Sequence, residues 1–199
     1  MTPSDSIAGV ILAGGRATRM GGGDKALLPL DGQPLLAHVI SRLSPQVAAL
    51  VLNANGDPTR FAAFNLPILP DTLPGQPGPL AGVLAGLDWA ASQGFSSILT
   101  VAADTPFLPG DLAARLATGP FTLAASPDTA GVLRQHPTIG HWPVTLRDAL
   151  RTGLQNGERK VGRWALENGA ELVAFHNTPD PFFNVNTPDD LQRAEERLR

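Results

Sequence analysis

Apolar residues along this chain follow two rhythms. Short unbroken runs, Ile7–Ala13, Val47–Leu52, Leu66–Leu69 and Ile98–Ala103, stand between polar and glycine positions. Such runs suit strands covered on both faces. Between them, apolar residues recur at helical spacing. Leu35–Leu43 begins behind Pro34, which favours a helix start, and Pro79–Ser92 ends just before Gly94, a residue suited to a left-handed cap. The alternation predicts an α/β sheet with parallel strands.

The remaining chain is less regular. Pro58–Phe64 predicts a short helix, and "DTPFLPGDLAARLATG" a loop followed by a helix. The stretch from Phe121 to Pro143 predicts shorter strands and turns. Helices are expected at Val144–Gly153 and Val161–Asn168, a strand at Glu171–Phe175 and a terminal helix from Asp189. No repeat or linker interrupts the 199 residues, so one domain over 1–199 is expected.

In open parallel sheets, ligands collect outside the carboxyl ends of the strands. Gly14-Gly15 and a basic loop with Arg16, Arg19 and Lys25 follow the first strand. Asn53 follows the second, Asp71 the third and Asp104 the fourth. Taken singly, Asn53 and Asp71 are ordinary turn formers and Asp104 an ordinary helix cap. Together on four strand ends they predict a site.

The chemistry of that site follows from residue types. Glycines let successive backbone N–H groups line a concave anion site, and Lys25 and Arg19 can neutralise a polyphosphate held there. Asp24-Lys25-Ala26 lacks the Gly-Lys-Ser/Thr of a P-loop, and "GGRATRMGGGDK" lacks the spacing of a dinucleotide fingerprint. A carboxylate such as Asp104 facing phosphates suits Mg2+, which takes one or two protein carboxylates and leaves the rest to water and substrate. Asp71 can accept from both N1–H and N2–H2 of guanine, a donor pair adenine and cytosine do not offer.

Composition narrows the field. The chain is 43% hydrophobic and 17% charged with a net charge of −3, which argues against a broad nucleic-acid footprint. It has no cysteine, so disulfides, thiolate metal sites and a cysteine nucleophile are excluded, as suits a reducing compartment. The N-terminal apolar run is too short for a signal or membrane span, so a cytoplasmic, membrane-free protein is expected. His136, His141 and His176 show no metal-ligand spacing and are expected to be ordinary surface or loop residues.

At these residues the chain resembles the molybdenum cofactor guanylyltransferases. "LAGGRATRMGGGDKALL" resembles their nucleotide loop, "DTLPGQPGPLAGVLAGL" a second signature, "AADTPFLP" a metal-site strand and "FFNVNTPDDL" a C-terminal motif. "RQHPTIGHWP" resembles a further segment, with His141 at a position expected to be aliphatic. The resemblance implies a Rossmann-like three-layer α/β/α nucleotidyltransferase fold with a mostly parallel central sheet. It implies Mg2+-dependent transfer of GMP from GTP to the terminal phosphate of molybdopterin, with pyrophosphate released. It assigns GTP contacts to Leu12, Ala13, Gly14, Gly15, Lys25, Asn53, Asp71 and Asp104, and the metal to Asp104. Lys25, Asp104 and Arg19 would carry catalysis. Gly22, Gly78, Gly82, Asn184 and Asn186 would line the acceptor side or the catalytic centre, although turn, capping or packing roles would also suit the last four. The nucleotide would occupy about residues 1–110 and the acceptor about 111–199. Passing contact with molybdenum-insertion and molybdoenzyme maturation proteins is a further implication.

Three rival readings remain at this point. A cytidylyltransferase acting on the same acceptor would keep the loop and the carboxylate. A sugar-phosphate nucleotidyltransferase would usually carry a proline before the lysine, where Gly23-Asp24 stand here. A non-catalytic nucleotide-binding module would be expected to have lost the lysine or the metal carboxylate.

Overall fold

A computed structural model describes residues 7–14, 24–73 and 78–199. Its first half builds β1 (Ile7–Leu12), β2 (Pro29–Leu30), β3 (Gln33–Pro34), α1 (Leu35–Leu43), β4 (Ala49–Asn53), β5 (Ile68–Leu69) and α2 (Pro79–Ser92). Its second half adds β6 (Ser97–Ala102), α3 (Leu112–Leu116), β7 (Thr122–Pro127), β8 (Leu133–Pro143), α4 (Arg147–Gln155), α5 (Val161–Glu167), β9 (Glu171–Ala174) and α6 (Pro188–Leu198).

Seven strands form one sheet in the order β5-β4-β1-β6-β8-β7-β9. Only β8 runs against the rest, pairing antiparallel with β6 on one side and β7 on the other. The strand β1 explains the layering. Ile7 and Ile11 face one side, where α1 and α3 supply Leu36, Val39, Leu112 and Leu116. Ala8, Val10 and Leu12 face the other, where α2 supplies Leu80, Val83, Leu84 and Leu87. Every side chain of β1 is buried, which is why its sequence is an unbroken apolar run.

The helix α2 begins and ends where its sequence predicts. Gly94 takes a φ of +80°, its N–H bonds to the Ala91 carbonyl, and the N–H of Phe95 reaches back to Ala90 at 2.9 Å. Phe95 then stacks on Trp89 with ring centroids 5.7 Å apart. This pair of bonds with its apolar contact is a Schellman ending. Midway along α2, Gly86 lets the helix settle on the sheet, since a Cβ there would stand 2.8 Å from Val10.

The short helix expected at Pro58–Phe64 is present as a 3-10 helix, capped by the Asp57 carboxylate accepting from the Thr59 N–H. Two features differ from the sequence expectation. The dipeptide Asp31-Gly32 turns with positive φ at both residues and joins β2 to β3 in a small ribbon. The segment 121–143 is a hairpin whose second strand runs eleven residues. Its register jumps: Leu123 faces Gly140, yet Ala124 faces His136, so Pro137, Thr138 and Ile139 bulge out of the ladder. Proline has no N–H to give a ladder, and the bulge absorbs it.

Candidate active site

Four strand ends lie level at one edge of the sheet. Leu69 faces Asn53, Asn53 faces Leu12, and Leu12 faces Ala102. Backbone bonds carry the row one step further, from Ala13 N–H to the Asn53 carbonyl at 2.9 Å and from Ala103 N–H to the Leu12 carbonyl at 3.1 Å. Asp71 lies two residues past Leu69, and Asp104 two past Ala102. The strands that carry them are three interstrand spacings of about 4.8 Å apart, roughly 14 Å in all. A cleft of about 690 Å3 opens over this row, lined by Leu12, Ala13 and Gly14 in its floor and by Lys25, Asn53, Asp71 and Asp104 around it.

At one end, the Lys25 ammonium donates to the Asp104 carboxylate and to the Asn186 side-chain carbonyl. Both charged side chains are largely enclosed, at 11% and 18% exposure, so the pair is shielded from bulk water. The C-terminal motif holds this corner. Val185 N–H donates to the Asp104 carbonyl at 3.0 Å, and the Thr105 hydroxyl donates to the Asn184 side-chain carbonyl at 3.2 Å. Beyond it, the Asn186 and Thr187 N–H groups donate to Asp190, whose own N–H returns to the Thr187 hydroxyl. That capping box starts α6 and fixes Asn186 over Lys25. Capping falls to Thr187, which leaves Asn184 and Asn186 facing the strand end.

At the other end, Asp71 is gripped by two amides. Asn53 donates to its Oδ1 at 3.1 Å and Asn55 to its Oδ2 at 2.8 Å, while Asn55 Oδ1 accepts from the Asp71 N–H at 2.9 Å. Each carboxylate oxygen keeps a lone pair for a ligand. Asn53 is 5% exposed and is also tied to the Leu69 carbonyl at 3.0 Å.

The glycines divide. Gly78 borders the cleft ahead of α2 with a φ of +129°, which a side chain would strain. Gly82 is buried beneath Asn53. A Cβ there would collide with the Asn53 amide and stand 2.8 Å from Leu12 Cδ2. The missing Cβ lets Asn53 lie against α2, and Gly82 itself is not among the residues that border the cleft. Gly82→Ala is expected to shift Asn53 away from Asp71 and weaken GTP binding about threefold to tenfold. Calorimetry on the folded variant checks this, and unchanged affinity would contradict it. Gly15, expected to contact GTP, Arg19, expected to share in catalysis, and Gly22, expected on the acceptor side or at the catalytic centre, lie outside the described residues.

Three cleft residues were absent from the sequence expectation. Thr138 reaches it through the bulge of β8, and Asn55 and Arg60 through the chain after β4. Asn55 had a signal, since it repeats Asn53 two residues on and so returns to the same side. Of the three histidines, His176 is an exposed loop residue as expected, while His136 and His141 depart from expectation. His141 is 8% exposed, with Nδ1 3.1 Å from the Gly119 carbonyl. His136 lies 4.7 Å from the Phe182 ring, and Nε2 pairs with the Ser126 hydroxyl at 2.7 Å. Burial pushes both below the ordinary histidine value, with the nearby Asp180 carboxylate partly opposing this at His136. Among the described residues no group of three or more His, Asp or Glu side chains could hold a metal. Asp104 is a single carboxylate, a donor set that fits an ion completing its shell from phosphates and water.

The architecture is that of a nucleotidyltransferase. In fold alone the chain is similar to 4-diphosphocytidyl-2C-methyl-D-erythritolsynthase from Anaerococcus prevotii, with a TM-score of 0.72 at 14% identity over 100% of this chain and 99% of that one. It is similar also to molybdopterin-guanine dinucleotide biosynthesis protein A from Archaeoglobus fulgidus, with a TM-score of 0.72 at 25% identity over 96% and 98%. Residues 9–170 match the MobA-like NTP transferase domain. The chain is 51% identical to the molybdenum cofactor guanylyltransferase of Bradyrhizobium sp. (strain ORS 278), over 98% of this chain and 95% of the relative. To that of Rhodobacter capsulatus it is 50% identical over 97% of each. The chain belongs to the molybdenum cofactor guanylyltransferase family.

Proposed function

We propose that the protein transfers GMP from GTP to the terminal phosphate of molybdopterin, giving molybdopterin guanine dinucleotide and pyrophosphate. One observation carries the reading. A single cleft has a lysine–aspartate pair at one end and an amide-braced carboxylate at the other, spaced for the two ends of a nucleotide.

Asp71 accepts from N1–H and N2–H2 of guanine, with Asn53 and Asn55 holding the carboxylate in plane. Leu12, Ala13 and Gly14 bring backbone against the nucleoside, while the resemblance to the family assigns Gly15 a GTP contact and Arg19 a share in catalysis, both outside the described residues. An oxygen of the molybdopterin phosphate attacks the α-phosphorus, and the bond from that phosphorus to the α,β-bridging oxygen breaks. The attacking phosphate is already ionised near neutral pH, so no strong general base is needed. Lys25 places positive charge on the departing pyrophosphate, and Asn186 aims its ammonium. Asp104 is the residue that would hold a divalent ion such as Mg2+, and that ion would supply positive charge to offset the build-up on the transferring group.

The acceptor enters over residues 111–199, beside Asn184, Asn186 and Gly78, while the nucleotide lies on residues 1–110, all within one domain. A chain without cysteine suits the cytoplasm, where it would meet molybdenum-insertion and molybdoenzyme maturation proteins in passing.

The test is pyrophosphate release from GTP or CTP with Mg2+ and molybdopterin. GTP is expected to serve, and a preference for CTP would make the protein the sister cytidylyltransferase. Release with neither donor would leave a nucleotide-binding module. Asp71→Asn is expected to cut the preference for GTP over CTP and ATP by about 10- to 100-fold, the worth of a charged hydrogen-bond pair. An unchanged preference would remove Asp71 from base recognition.

A further inference from the structure

The guanidinium of Arg60 borders the cleft and links two stretches of chain there, and the mechanism above does not use it. Arg60 leaves the 3-10 turn Pro58–Phe64 and folds back, its Cζ 4.8 Å over the neighbouring Phe61 ring. Nε faces the Asp24 carboxylate at 2.9 Å, and Nη2 donates to the Asn55 carbonyl at 2.5 Å. The buried Nε–H is not aligned on that carboxylate as a hydrogen bond, so the contact with Asp24 is electrostatic. Gly56 makes room, with a φ of +86° and a missing Cβ that would stand 3.0 Å from Nη1.

The two contacts reach stretches of chain that carry different parts of the site. Asp24 precedes Lys25, which serves the phosphates. Asn55 brackets Asp71, which serves the base, and Arg60, Asp24 and Asn55 all border the cleft themselves. We infer that Arg60 is a positioning residue that braces the phosphate side of the nucleotide cleft against its base side and thereby sets the affinity for GTP. The inference rests on the GTP reading above. A guanidinium suits this task because Nη2 donates to the Asn55 carbonyl while Nε keeps its charge against Asp24, a span that the single point charge of a lysine does not cover. Without the brace, the Asp24–Lys25 stretch and the Asn55 loop must be ordered by the nucleotide itself, and binding bears that ordering cost. Once GTP is bound the chemistry is unaltered.

Arg60→Ala is therefore expected to weaken GTP binding about tenfold and to leave turnover at saturating GTP within about threefold of wild type. Arg60→Lys, which keeps the charge, is expected to lose most of the same affinity. Because the brace acts as a unit, Arg60→Ala with Asp24→Ala is expected to bind no more weakly than Arg60→Ala alone. Calorimetric titration with GTP, pyrophosphate-release kinetics and thermal unfolding read these out. If Arg60→Ala does not fold, Arg60→Lys and Asp24→Ala carry the comparison.

GTP affinity within about twofold of wild type in the folded variants would overturn the inference. So would fully additive losses in the double variant, or a fall in turnover with affinity unchanged. Wild-type protein that binds no GTP would overturn the reading beneath it instead, a result distinguishable from all of these.

Discussion

Asp104→Ala is expected to lower turnover by roughly 10²–10³ or more, the equivalent of about 2–4 kcal/mol of transition-state stabilisation. The carboxylate stands two residues beyond the end of β6, where it accepts from Lys25 and where its backbone carbonyl is held by Val185. Alanine keeps the backbone bond, so the C-terminal motif stays in place and the protein folds. What disappears is the negative charge that would seat a divalent ion against the phosphates. Asp104→Asn separates charge from shape, because its amide oxygen still accepts from Lys25. Both variants are expected to fall by similar factors, measured as pyrophosphate release over a range of Mg2+ concentrations. Near-wild-type turnover in either would remove Asp104 from the metal role. Loss in alanine alone would make its hydrogen bond, not its charge, the working part.

How far the sequence led differs between elements for physical reasons. The strand β1 is legible because it is buried throughout and α1 because it buries one stripe, whereas α2, buried on nearly all sides from Leu80 to Leu87, is marked by Pro79 at its start and Gly94 after its end. The hairpin of β7 and β8 is not, because Pro137 and Gly140 break the alternation and the pairing that rescues β8 comes from residues far along the chain. The limits of β4 and β6 shift a residue or two from expectation, since their ends are set by neighbours in the sheet.

The candidate site divides in the same way. Lys25, Asn53, Asp71 and Asp104 announce themselves as polar residues at the ends of apolar runs, where no core reason for them exists. Arg60 and Thr138 carry no such mark. Arg60 depends on a side chain folding back from a 3-10 turn, and Thr138 on a bulge, and neither leaves a pattern in the residues beside it. Gly82 illustrates the reverse. Its motif suggests a place at the acceptor side or the catalytic centre, yet it is buried against the Asn53 side chain, where a Cβ would collide. The nucleotide-side strands are also incomplete alone, because Asn186 from the C-terminal end completes the contacts of Lys25.

Lys25→Met is expected to reduce turnover by about 10²–10³ while raising the KM for GTP by much less. The reasoning turns on where charge builds. In bound GTP the β- and γ-phosphates already carry charge that several donors share. As the bond to the α-phosphorus breaks, further negative charge reaches the bridging oxygen and the departing pyrophosphate. A cation beside that group is worth more at that moment than before it, so its loss falls on kcat rather than on KM. Methionine keeps the stem length and the apolar contacts of the side chain but leaves Asp104 without its ammonium. Lys25→Arg tests position against charge: its guanidinium keeps the charge but cannot place it at one point between Asp104 and Asn186, so partial recovery is expected. Asn186→Ala removes only the group that aims the ammonium and is expected to cost less than Lys25→Met. Steady-state kinetics with GTP, Mg2+ and molybdopterin would rank the three. If Lys25→Met raised KM alone, the lysine would be a tether for GTP, and the charge that drives pyrophosphate departure would have to come from elsewhere.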